Sequence, residues 1–223
     1  MSIIPRRLHR LLVVDIQKAY SRFYNLNYLL KVKRFMAKHS FDDIRMLVDV
    51  FAEVYSGEFI PSFIDKKLTG QPIFKQYCTD FAISLLAEEG IDVTEFKQEL
   101  FTHHRVLPFH DGLMALIEPG YIPDYKVCHS ENLQEYLLEY LPPAFKDYLE
   151  SCQGCKVHLI GGGYGECVYI TKQILDLFKI PNCIHAKYCY EMNPYSSLAY
   201  PPLDKMAKEV NWSFKQNDFL FYS

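Results

Sequence analysis

The stretch Lys156–Phe178, KVHLIGGGYGECVYITKQILDLF, decides the architecture. It opens on an apolar run over Val157–Ile160, breaks on Gly161, Gly162 and Gly163, and resumes with helical spacing. From Val168 the apolar positions are Val168, Ile170, Ile174, Leu175 and Phe178, with Lys172, Gln173 and Asp176 on the other side. That pattern predicts a buried strand, a tight turn and an amphipathic helix. Cys167 falls where the turn becomes the helix. There a thiol meets unpaired backbone N–H groups and the positive end of the helix dipole, both of which favour the thiolate. The same N–H groups suit a developing oxyanion, and the glycines let a substrate approach the backbone. A small buried cysteine in an ordinary strand-turn-helix crossover satisfies the same pattern.

Outward from this unit, Leu11–Gln17, LLVVDIQ, is a continuous apolar run ending on a carboxylate. Such a run suits a central strand buried on both faces. Asp15 and Gln17 then lie at the carboxyl edge, where open α/β sheets place their sites. Asn27–His39 reads as a helix with Leu29, Leu30, Val32 and Phe35 inward, and Ile44–Phe51 as a second strand. Asn182–Tyr190 reads as a further strand, and Ala144–Ser151 and Pro202–Val210 as helices. Phe74–Glu89 and Thr94–Phe101 also read as helical, and Tyr125–Cys128 as a short strand. Alternating strands and helices predict an α/β fold: a three-layer α/β/α sandwich around a mostly parallel, Rossmann-like central sheet, with a helical insertion around 53–107. The 223 residues, 49% hydrophobic, suit a single domain over 1–223.

A formal charge of -3 shows no basic excess, so nucleic acid is not the expected partner. Arg6, Arg7 and Arg10 read as a solvated strand edge. No run reaches the ~20 apolar residues of a membrane span and no apolar leader follows Met1. Seven irregularly spaced cysteines suit a reduced, cytoplasmic setting. Cys152 and Cys155 have CxxC spacing, but zinc wants a second such pair, and Cys183 and Cys189 lie in a predicted strand. The pair therefore reads as a helix-to-strand loop, and no metal ligand or cofactor is assigned. There is no GxGxxG after the first strand, no GxxxxGK[ST] and no GxSxG.

LLVVDIQ at 11–17 and GGGYGECVYIT at 161–171 together resemble the isochorismatase-like cysteine hydrolases. In that family a first strand ends D-x-Q, and a later strand leads into G-x-x-T-x-x-C-V-x-x-T. Gly161, Cys167, Val168 and Thr171 match the second motif in register. Tyr164 stands where the family has Thr, and Gly165 where it often has Asp. The segment IEPGYIPDYK resembles the approach to the family's lysine, which makes Lys126 the third candidate; Lys146 and Lys156 fit less well. The family's metal-binding Asp and His are not recognisable in this chain.

The resemblance implies a Cys-Asp-Lys triad. Cys167 would attack an amide-like carbonyl, Asp15 would carry the proton, and Lys126 would hold both negative charges. Backbone N–H groups at Tyr164 and Cys167 would face the oxyanion, beside Gly163 and Gln17. Glu166, next to the thiol, works against a thiolate. A small-molecule substrate and a homo-oligomer follow as expectations, the aromatic C-terminal stretch Trp212–Tyr222 being compatible with pairing. The competing reading is a catalytically silent member of the same fold, kept as a binding or assembly module. A glycine triplet followed by Cys also resembles the guanidine-modifying deiminases, but those place the cysteine close to the chain end, whereas here a strand and a helix are expected after Cys167.

Overall fold

The computed structural model describes residues 6–17, 20, 23–49, 61–75, 77, 94, 138 and 141–191. The elements, in chain order, are β1 (His9–Val14), α1 (Leu26–Lys38), β2 (Asp43–Asp49), the single turn α2 (Ser62–Asp65), β3 (Ile73–Lys75), α3 (Pro143–Ser151), β4 (Lys156–Gly161), a π-helical turn (Tyr164–Val168), α4 (Tyr169–Leu177) and β5 (Asn182–Cys189). Among the described residues the five strands form one sheet of order β3-β2-β1-β4-β5, with parallel pairing throughout.

β1 lies at the centre because its side chains require it. Leu11, Leu12, Val13 and Val14 are all fully buried, so both faces of the strand must be covered. Leu11 pairs with Ile44 on one side and His158 on the other; Val14 pairs with Leu47 and Gly161. The chain runs β1 to β2 to β3 in one direction and places β4 and β5 on the other side. The reversal falls between β1 and β4, and the crevice at the carboxyl ends of those two strands is where such sheets hold their sites.

The helices pack by their apolar stripes. α1 starts on Asn25, whose side-chain oxygen accepts the Tyr28 N–H at 2.9 Å, an N-cap that satisfies one of the orphan amides. It buries Tyr28, Leu29, Val32, Phe35 and Met36. Leu30, expected to point inward, is exposed; the buried stripe runs through Tyr28 and Met36 instead. α4 buries Ile170, Thr171, Ile174 and Leu175, as its spacing predicts. α3 buries Phe145, Tyr148 and Leu149 and ends at Cys152, so Cys152 and Cys155 do occupy a helix-to-strand loop. Arg10 departs from the solvated edge expected of it. Its guanidinium donates to Ser151 Oγ at 2.6 Å and lies 3.9 Å from Asp43, tying β1 to the end of α3.

Three expectations, the Tyr125–Cys128 strand, the Thr94–Phe101 helix and the Pro202–Val210 helix, lie outside the described residues apart from Thr94. The 53–107 region is described only in part, and there it supplies β3, beginning where a helix over Phe74–Glu89 was expected. Among the described residues no helix is long and apolar enough to cross a membrane.

Two glycines make the β1–β4 crevice possible. Gly161 has φ +117°, and a Cβ there would drive into the Val14 carbonyl; a Cβ on Gly162 would enter the Tyr190 ring. Gly161→Ala combines backbone strain with a backbone clash. It is expected to cost about 2 kcal/mol or more, read as a lowered urea midpoint, whereas Gly154→Ala meets no neighbouring atom and should cost less.

Candidate active site

Three side chains from the ends of three different strands meet above the crevice. Asp15 is the first residue after β1, Lys75 the last residue of β3, and Cys167 lies in the π-helical turn after β4. All three are fully buried. Lys75 Nζ stands 3.2 Å from Asp15 Oδ2 and donates to Cys167 Sγ at 3.5 Å and to the Tyr77 carbonyl at 3.0 Å. An ammonium has three N–H donors, and Asp15, Cys167 and the Tyr77 carbonyl are among the groups that face this one.

Local geometry holds each group. Asp15 has φ +52°, a left-handed conformation that Asp tolerates better than most residues. Its N–H donates to the Leu47 carbonyl at 2.9 Å, and its own carbonyl accepts the Tyr190 hydroxyl at 2.6 Å. The backbone of the acid is thus fixed from β2 and from the end of β5 at once.

The turn carrying Cys167 is bound as tightly. Gly162 N–H donates to the Val14 carbonyl, Tyr190 N–H to the Gly161 carbonyl, and Tyr164 N–H to the Tyr190 carbonyl, each at 2.9 Å. Val168 N–H reaches back five residues to the Gly163 carbonyl at 3.1 Å, the bond that makes the turn π-helical. Such turns recur at functional sites. Thr171 donates its hydroxyl to the Cys167 carbonyl at 2.6 Å. That uses its one proton, so the 2.6 Å contact with Tyr77 has the tyrosine as donor. A chain of bonds therefore runs from Tyr77, two residues after Lys75, to the backbone of Cys167. Burial raises the Tyr77 hydroxyl pKa well above its ordinary value and keeps it a donor.

The sequence candidates come together in part. Asp15 and Cys167 share one amine, and Gln17 is buried close behind Asp15 in the chain. Lys126 lies outside the described residues. The amine the structure brings to Asp15 and Cys167 is Lys75, which sequence reading missed. Its only signal is an apolar pair, Ile73-Phe74, followed by a lysine after the breaks at Gly70 and Pro72. Of the amides expected to face an oxyanion, that of Tyr164 is engaged by Tyr190, and that of neighbouring Gly165 donates to Glu191 Oε2 at 3.1 Å. Lys146 lies on α3, and Lys156 begins β4.

Glu166 is less of an obstacle than its position suggests. Burial, and then the nearby Glu191, push its pKa up to about 7. A carboxyl that keeps its proton to higher pH repels a thiolate less than an ordinary glutamate would. The arrangement offers a sulfur nucleophile, a carboxylate able to take and return a proton, and a fixed cation between them. Comparison of the chain with protein-family models, with curated proteins and with solved structures finds no match in any of the three. The functional reading rests on these residues.

Lys75→Met would leave Asp15 buried without its cation, which typically costs about 3–5 kcal/mol. Adding Asp15→Asn should recover part of that loss in urea denaturation. Glu166 binds its proton more tightly folded than unfolded. Its contribution to stability is therefore full below about 4.5 and is lost as pH rises through about 7. Glu166→Gln should flatten the fall in stability across that window, measured by denaturation at several pH values.

Proposed function

We propose that the chain is a cysteine hydrolase of the isochorismatase-like kind, acting on a small amide-like C–N substrate, with Lys75 in the role that resemblance alone gave to Lys126. The supporting observation is the position of Lys75 Nζ, 3.2 Å from Asp15 Oδ2 and 3.5 Å from Cys167 Sγ, with all three side chains buried at the strand-order reversal. In this reading the central sheet is the middle of a three-layer α/β/α sandwich, and the carboxyl-end crevice is its substrate site.

Asp15 takes the thiol proton as Cys167 Sγ bonds to the carbonyl carbon. Lys75 keeps the negative charge on sulfur and carboxylate from building up unopposed. The C–N bond then breaks, the nitrogen leaves with the proton from Asp15, and a thioester remains on Cys167. Asp15 next removes a proton from water as its oxygen attacks the thioester. The C–S bond breaks, the carboxylic acid departs, and the thiol is restored.

The silent-module reading has its own support. The Cys167 side chain is fully buried, and the Tyr164 and Gly165 amides are already engaged. One pair of measurements separates the two. The hydrolase should release ammonia or amine from members of a panel of small carboxamides, with a drop of about 10²- to 10⁴-fold in Asp15→Asn and complete loss in Cys167→Ser. Iodoacetamide should alkylate Cys167 well below the ordinary thiol midpoint of about 8.5, with the midpoint moving upward in Lys75→Met. No turnover on any carboxamide, together with an ordinary midpoint that ignores the lysine, would leave the silent module standing.

A further inference from the structure

Towards the amino ends of the strands, away from Asp15 and Cys167, a second cluster uses none of the groups of the candidate active site. His158 lies on β4, Cys183 and His185 on β5, and His158 and Cys183 are register partners across the ladder. His158 Nδ1 is 2.7 Å from His185 Nε2 and 3.3 Å from Cys183 Sγ, and that sulfur is 3.7 Å from His185 Nε2. All three residues are half-buried, so an ion has a route to them. The β4–β5 ladder shifts register just beyond this point, between Leu159 and Gly161.

We propose that His158 Nδ1, Cys183 Sγ and His185 Nε2 form a binding site for a divalent cation of zinc-like softness, with solvent in the fourth position. Two imidazoles and a thiolate are a donor set that zinc and cobalt favour over calcium or magnesium. Zn–N bonds of about 2.0–2.1 Å and a Zn–S bond of about 2.3 Å put tetrahedral ligand atoms about 3.3 Å (N to N) and 3.6 Å (N to S) apart. The separations here lie within roughly 0.7 Å of those values.

The surroundings fit the same role. His158 Nε2 lies 2.9 Å from His9 Nδ1, the outer hydrogen bond that fixes the ring of a metal-bound histidine. With His158 Nε2–H donating to His9, Nδ1 is left as a lone pair aimed at the cluster. Phe41 and Phe35 wall the site, their ring centroids 5.3 Å from His158 and 4.9 Å from His185. Lys156 adds positive charge nearby, which the thiolate offsets. Binding releases the Cys183 thiol proton to solvent, and His185 moves its ring proton from Nε2 to Nδ1. The ion would clip β4 to β5 and does not depend on the hydrolase reading.

The test is a cobalt(II) titration of the full-length, chelator-treated protein. Saturation at one ion per chain is expected, with a thiolate-to-cobalt charge-transfer band that zinc abolishes. Cys183→Ala should lose the band, Cys152→Ala should keep it, and His9→Gln should keep it while binding about 10- to 100-fold more weakly. A second measurement needs no variant: zinc should protect Cys183 of the unaltered chain from maleimide, read by peptide mass spectrometry. An unsaturable titration, a band that persists in Cys183→Ala, or equal labelling of Cys183 with and without zinc would overturn the site.

Discussion

Burying the Lys75 ammonium is the constraint that the rest of the sheet's carboxyl edge answers to. Removing such an ion from water carries an effective penalty of several kcal/mol, which only close acceptors and an opposite charge offset. Lys75 finds them in Asp15, the Tyr77 carbonyl and Cys167. The Tyr77 carbonyl lies two residues beyond the lysine, while Asp15 and Cys167 come from distant parts of the chain. β1 must end where it does to deliver Asp15, β3 must stop at Lys75, and the turn after β4 must fold back over both.

The scaffolding around the ammonium follows from that demand. Asp15 adopts a left-handed backbone so that its N–H can cap β2 while its carbonyl receives Tyr190. Gly161 and Gly162 bring β4 so close to β1 and Tyr190 that no side chain fits. Tyr77 and Thr171 link the segment after Lys75 to the carbonyl of Cys167. The site is thus held chiefly by backbone bonds and three hydroxyls, those of Tyr77, Thr171 and Tyr190, which fix the buried groups more rigidly than long side chains do.

What could be read from sequence tracks what periodicity carries. β1, β2 and β4 hold apolar runs long enough to declare themselves, β5 mixes apolar and polar residues over eight positions, and α1 and α4 show clear 3.6-residue stripes. β3 is three residues, Ile73–Lys75, too short for any period, and the helical spacing after Phe74 absorbed it. With the strand hidden, no local pattern marks Lys75 as a buried group, since lysines are almost never fully buried. A resemblance further along the chain pointed to Lys126 instead. Asp15 and Cys167 were legible because a carboxylate ending an apolar run and a cysteine opening a helix are local patterns. The histidine cluster was not, since His158 and His185 meet only once the register of β4 and β5 is known.

The separation of Cys167 from Lys75 by 92 positions has a consequence for how the molecule is made. The acid and the amine are both synthesised well before the sulfur. A chain that has just completed β3 already holds Asp15 and Lys75, but the sulfur that the later turn brings to the lysine has yet to be made. Contacts so distant in sequence form late and slowly. The buried lysine therefore gains its sulfur neighbour only when the second half of the sheet has docked, so the carboxyl edge is completed last by order of assembly.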